Sequence, residues 1–122
     1  MTITLQRLGT ELTRELTCLH KESIGKGPSN TSISIFENTI LVKLQDVLST
    51  FESSVSLIPD GEEKIKQMRA QLFAEYSHEL LKVIQKYANC ALQETVSTVD
   101  VRKKEVYLLM IFDRNFEECS RS

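Results

Sequence analysis

The chain has 122 residues, with 15 Lys and Arg against 17 Asp and Glu and an apolar fraction of 41%. That length suits one domain, and the apolar fraction excludes an intrinsically disordered chain. A net charge of -2 excludes a protein that grips nucleic acid by overall attraction.

The first element reads as a helix over Thr2–Ile24. Leu5, Leu8, Leu12, Leu16 and Leu19 recur at steps of three and four and share one stripe. Gly9, beside the stripe, lowers helix propensity by up to about 1 kcal/mol relative to Ala. It also offers room for close helix packing. Gly25-Lys26-Gly27-Pro28 then stops the helix.

A hairpin follows. Residues 32–36 alternate, with Ile33 and Ile35 on one face. Residues 39–44 alternate as well, with Ile40, Val42 and Leu44 opposite Leu41 and Lys43. Glu37-Asn38 forms the tight turn, and Asn38 suits the positive φ of such turns.

Ser49-Thr50-Phe51-Glu52 has the capping-box pattern and opens a short helix. Its apolar side is Val47, Leu48, Phe51, Val55 and Ile58, and Pro59-Asp60-Gly61 ends it. A long helix is predicted over residues 61–88, with Asp60-Gly61-Glu62-Glu63 as a second start of capping-box type. Ile65, Met68, Leu72, Tyr76, Leu80, Ile84 and Tyr87 form its stripe, and Asn89 is its left-handed C-cap.

Residues 91–101 are β-prone, but Leu92, Val96, Val99 and Val101 do not keep one parity, which predicts a bulge. Arg102-Lys103-Lys104 makes a solvated turn. The strand after it is apolar on both faces: Val106, Leu108, Met110 and Phe112 on one, Tyr107, Leu109 and Ile111 on the other. Such a strand is covered on both sides. Two substantial helices cover one face, so the second cover of Tyr107, Leu109 and Ile111 is expected from another subunit, in a homodimer. The order α-β-β-α(short)-α-β-β predicts an α+β fold, a four-stranded antiparallel sheet with helices on one face. It forms a single domain over residues 1–117, with a disordered tail at 118–122.

Few constellations suggest chemistry. Gly25-Lys26-Gly27-Pro28 could cradle an anion. It lacks the Walker A spacing and follows a helix C-terminus, where the dipole repels anions. It reads first as a helix stop and rigid turn, and functionally as a surface loop for a partner or small anion. His20 and His78 have no zinc-ligand spacing and read as solvated histidines on helix faces. Cys18, Cys90 and Cys119 are odd in number and include no Cys-x-x-Cys pair. Cys18 and Cys90 read as buried structural thiols, in keeping with a reducing cytosol. Glu62, Glu63, Glu75, Glu79, Glu117 and Glu118 read as capping or solvated groups. Phe51, Phe73, Tyr76, Tyr87, Tyr107 and Phe112 read as core. No nucleophile elbow and no metal-ligand set is present, so neither enzymatic activity nor a cofactor is expected. The longest apolar run is far short of the about 20 residues of a membrane span. The first residues lack the continuous apolar stretch of a signal peptide. The expected location is therefore cytoplasmic, with no direct membrane insertion.

In order, the chain carries Gly25-Lys26-Gly27-Pro28, Ile40-Leu41-Val42-Lys43-Leu44-Gln45-Asp46-Val47-Leu48-Ser49-Thr50-Phe51-Glu52, Ser97-Thr98-Val99-Asp100-Val101 with the strand at 106–112, and Asp113-Arg114-Asn115-Phe116-Glu117. Over about residues 2–117 this resembles the MpsC-like family, component C of a proposed Na+-translocating membrane-potential-generating system. That family typically has a Gly-(Lys/Arg)-Gly-Pro loop and a strand-to-helix passage of the form Lys/Arg-Leu-x-Gly-Val-Leu-Thr. The chain departs from it at Asp46, where the family often has Gly. It departs again at Ser49-Thr50-Phe51, where Thr-Pro often follows Val-Leu. The resemblance implies an accessory or regulatory module, with a protein partner in a cation or inorganic-carbon transport complex. It implies no catalytic residue. The alternative is a dimeric sensor of an anion or nucleotide, bound near Lys26 or in a subunit cleft.

Overall fold

The computed structural model describes the backbone of residues 2–116 and the side chains of residues 5–116. Helix α1 spans Thr2–Ile24. Its stripe packs as the spacing predicts: Leu8, Leu12 and Leu16 are fully buried, with Leu5 and Leu19 half-buried beside them. Each buried leucine contributes about 1.5–3 kcal/mol. The helix ends at Gly25, whose φ of 88° is left-handed and whose N–H donates to the Lys21 carbonyl at 2.9 Å.

Strands β1 (Asn30–Phe36) and β2 (Thr39–Gln45) form the first hairpin. Positive φ falls on Glu37, at 52°, and not on Asn38. Asn38 has a different task. Its Nδ2 donates to the Phe112 carbonyl at 3.1 Å, and its own carbonyl accepts the Phe112 N–H at 2.8 Å. The turn is thereby fastened to the last strand.

Helix α2 spans Thr50–Val55 and carries the full capping box: the Ser49 hydroxyl accepts the Glu52 N–H, and the Glu52 carboxylate accepts the Ser49 N–H. Its expected apolar side is divided. Val47 and Leu48 are buried ahead of the helix, whereas Phe51 is 74% exposed and Ile58 51%. Val55 packs partly buried against the core as expected, but the one buried residue of this six-residue helix is Glu52.

Helix α3 spans Gly61–Ile84. It starts without the expected second box. Asp60 is left-handed, at φ 62°, and its side chain makes no cap hydrogen bond; an N-cap side chain reaches the first turn from extended backbone instead. Gly61 serves the crossing of α2 and α3, because a Cβ there would lie 1.7 Å from the Val55 carbonyl oxygen. The helix also stops four residues before the expected end. Gln85 is its right-handed C-cap, and tight turns carry the chain onward: the Lys86 N–H donates to Val83 O and the Tyr87 N–H to Ile84 O. Asn89 is not left-handed, contrary to its expected role as C-cap.

Strands β3 (Leu92–Asp100) and β4 (Glu105–Phe112) complete an antiparallel sheet of order β1-β2-β4-β3, and the expected bulge lies between Leu92 and Glu94. One face, including Ile40, Val42, Leu44, Val106, Leu108 and Met110, packs into a single core with the α1 stripe and with Ile65, Tyr76, Leu80 and Ile84 of α3, whereas Met68, expected on the α3 stripe, is 42% exposed. This is the two-layer α+β architecture that the pattern predicts. The core is closed at one end by Phe116, whose ring meets that of Phe112 edge-on at 4.9 Å and whose N–H donates to Glu37 O at 2.7 Å. The expected tail at 118–122, with Cys119, lies outside the described residues.

Candidate functional site

Three polar side chains occupy buried positions of apolar stripes. His20 continues the four-residue step Leu8, Leu12, Leu16 along α1, and a helix returns such residues to one face. Arg69 takes the same step between Ile65 and Phe73 on α3. Glu52 is the buried residue of α2. His20 and Arg69 are fully buried, and Glu52 is 3% exposed.

They meet in one hydrogen-bonded cluster. Arg69 forks onto Glu52, with Nε to Oε2 at 2.7 Å and Nη2 to Oε1 at 2.8 Å. Nη2 also donates to the Val47 carbonyl at 2.7 Å, and Nη1 donates to His20 Nε2 at 2.7 Å. Glu52 Oε1 accepts the Ser49 N–H at 2.9 Å as well. The other ring nitrogen of His20 bonds to the Lys26 carbonyl. Arginine only donates, so Nε2 accepts and Nδ1 carries the proton; these partners assign a neutral imidazole.

The electrostatics agree. Burial lowers the His20 pKa below 6.5, and the Arg69 charge lowers it further against the opposing pull of the Lys26 carbonyl. Burial would raise the Glu52 pKa, but the Arg69 hydrogen bond and charge and the Ser49 N–H outweigh it and hold the carboxyl below its ordinary value. One positive charge, one negative charge and a neutral ring close the balance. Among the described residues, no buried side-chain nitrogen or oxygen lacks a partner. Acid–base chemistry requires a group within reach of a substrate proton, and both His20 nitrogens are held by protein atoms. The cluster ties α1, α2 and α3 to the 25–28 loop.

That loop is anchored on its outside too. Lys26 Nζ lies 3.2 Å from Asp46 Oδ1, in a half-exposed ion pair. Asp46 is left-handed, with φ 56°. Glycine would take such φ without steric cost. Gly25, Lys26, Gly27 and Pro28 thus form a fastened loop whose single cation already has a counter-ion.

Other sequence readings divide. His20 is buried and hydrogen-bonded, not solvated, because its stripe position carries it inward; His78 is exposed as expected. Cys90 is buried, but Cys18 is exposed, being off the leucine stripe. Phe51 is exposed and not core. Arg69 went unmarked in the sequence, although its four-residue spacing from Ile65 and Phe73 was the signal for a buried arginine.

The second notable surface is the sheet face opposite the helices. The register sets Ser34, Leu41, Leu109 and Val96 in one row across the four strands, and Phe36, Thr39, Ile111 and Glu94 in the next. Phe36 is 50% exposed and Val96 48%, and among the described residues no helix packs over them. Toward the other end the face turns polar. Glu105 accepts the Tyr107 hydroxyl at 2.8 Å and Gln45 Nε2 at 3.1 Å, with Lys43 Nζ at 3.9 Å. Those donors lower the Glu105 pKa, and donation to a carboxylate raises that of Tyr107. Tyr107, Leu109 and Ile111 therefore lie on the outer face as expected, half-buried among their strand neighbours.

No cluster of three or more metal-ligating side chains occurs among the described residues, and none of their helices is long and apolar enough to cross a membrane. Fold and site define a two-layer α+β domain with an internally neutralised polar cluster and an uncovered, partly apolar sheet face. Residues 4–114 match the family model described as Na+-translocating membrane potential-generating system (MpsC), and the chain belongs to the MpsC family. No curated protein and no solved structure matched the chain.

Proposed function

We propose that the chain is a non-enzymatic accessory or regulatory module of a Na+-translocating membrane system, acting as a homodimer from the cytoplasmic side. It holds a protein component of that system on its uncovered sheet face. The observation that carries this reading is the row Leu41, Leu109 and Val96, with Ile111 beside it, on a face that no helix of the described chain covers. Contiguous apolar surface open to solvent and rimmed by polar groups marks interaction sites; here Leu41, Leu109 and Ile111 are half-buried between the exposed Phe36 and Val96, and Lys43 and Gln45 border them on the polar side. Family membership supports the membrane-system setting. The absence of enzymatic activity is supported by the buried, mutually satisfied state of His20, Arg69 and Glu52. The sensor alternative draws less support, because Lys26 is paired with Asp46.

The test is co-purification of the tagged chain from its native host in mild detergent. An integral membrane protein should be retained by the wild type and lost from a Leu109→Asp variant with unchanged far-UV circular dichroism. Equal retention by both, or no membrane component at all, would refute the reading.

A further inference from the structure

The sheet has two edges, and they are unlike. Edge strand β3 carries Glu94, Asp100 and a bulge, devices that blunt an edge against pairing. Edge strand β1, Asn-Thr-Ser-Ile-Ser-Ile-Phe, has no charge, no proline and no register shift against β2. Its hydrogen-bond phase follows from the sheet. The Phe112 N–H donates to Asn38 O, so the even-numbered residues of β2 bond toward β4 and the odd ones toward β1. Through the register, Asn30, Ser32, Ser34 and Phe36 bond to β2. Thr31, Ile33 and Ile35 then aim their N–H and C=O groups away from the sheet.

The side chains of those three residues are half-buried on the helix side. Ile33 and Ile35 form one wall of a groove of about 540 Å3, and Leu5, Gln6, Gly9, Thr10 and Thr13 of α1 form the other, so the groove is apolar on the strand side and mixed on the helix side. A Cβ at Gly9 would meet nothing within 4 Å, so the close packing expected there is not made within the protomer. The flank thus offers a strand's worth of backbone groups and unfinished apolar packing beside them.

We propose that β1 pairs antiparallel with β1 of a second copy of this chain, about a twofold axis at Ile33. The two sheets then run on as one, and Ile33 and Ile35 of both copies share a core beneath the two α1 helices. A twofold sets like against like. Ile33 meets Ile33 of the partner subunit, Ser32 faces Ser34 across the axis, and Thr31 faces Ile35. Any charge in β1 would stand close to its own copy, and β1 has none. That electrostatic match, and a register that serves itself, identify the occupant as this same strand. The inference rests on the homodimer reading above and assigns it to the edge, which leaves the outer face free for a different protein.

Sedimentation equilibrium on the full chain tests it with Thr31→Pro, the double variant Ser32→Lys/Ser34→Lys, and Leu109→Asp. Thr31→Pro removes one outward N–H and no bond to β2. The double variant changes only exposed positions, so it decides the matter if the proline variant fails to fold. The wild type and Leu109→Asp should sediment at twice the 13.9 kDa chain mass, and the edge variants at that mass with native circular dichroism. A monomeric wild type overturns both dimer and edge. A dimer that survives the edge variants overturns the edge assignment alone, and its loss in Leu109→Asp would move the contact to the outer face.

Discussion

Arg69 and Glu52 stand 17 positions apart and meet as a two-point ion pair, at 2.7 and 2.8 Å, with neither residue more than 3% exposed. The Glu52 carboxylate has a second role as the capping-box acceptor of α2. One side chain therefore both starts a helix and neutralises the cation of another, so the start of α2 cannot shift without disturbing α3.

Removing one partner of a buried pair strands the other. Arg69→Ala should lower unfolding free energy by about 3–5 kcal/mol, read from urea denaturation. Arg69→Met combined with Glu52→Gln should cost clearly less than the sum of the single changes, because no lone charge stays behind. Additive losses in the double-mutant cycle would show that the two residues are not energetically coupled.

Acid should weaken the fold in two stages. The His20 pKa is lowered on folding, so just below its ordinary 6.5 the unfolded chain binds a proton that the folded chain does not. Stability therefore falls as pH drops through 6.5 toward the lower folded value. The Glu52 pKa is also lowered, so its contribution is complete above its ordinary 4.5 and is lost as pH falls through the folded value beneath it. Urea midpoints across pH should show both stages, and His20→Gln should flatten the first. A midpoint unchanged from neutrality down to about pH 5 would contradict the buried neutral imidazole.

Backbone conformation at position 46 can be separated from the ion pair to Lys26. Asp46→Gly and Asp46→Ala both abolish the pair, which at such exposure is worth about 0–1 kcal/mol. Only alanine meets the steric cost of the left-handed φ. The glycine variant should be the more stable of the two by about 1 kcal/mol in thermal or chemical melts; equal stabilities would argue against a left-handed residue there.

Gly61 has no such freedom. Its missing Cβ is replaced by the Val55 carbonyl, so Gly61→Ala must separate α2 from α3. Destabilisation of about 1–3 kcal/mol is expected, with increased amide exchange in residues 50–58. An alanine variant as stable as the wild type would show that the two backbones do not cross that closely.

The local elements were legible in the residues because their causes are local. The leucine steps of α1, the alternation of β1, β2 and β4, the bulge in β3 and the Ser49–Glu52 box each depend on neighbours within one or two turns or strand positions. Their order was enough to predict the two-layer fold. The errors lie where the cause is remote or the local motif admits two geometries. The Asp60-Gly61-Glu62-Glu63 string looked like a cap, yet the close passage of Val55 decides the conformation there. His20 looked solvated beside Lys21 and Glu22, although it continues the buried step of Leu12 and Leu16.

By itself, then, the sequence determined most of the apolar faces, the order of the helices and hairpins, the α+β class and, through its motifs, the MpsC family. The tertiary structure alone decided that Arg69 neutralises Glu52, that His20 joins them as a neutral ring, and that β1 is left at an unguarded edge. Those outcomes depend on how the three helices converge and on strand order. Such placement is set by packing the whole core at once, so residues far apart in sequence acquire their partners only when the layers close.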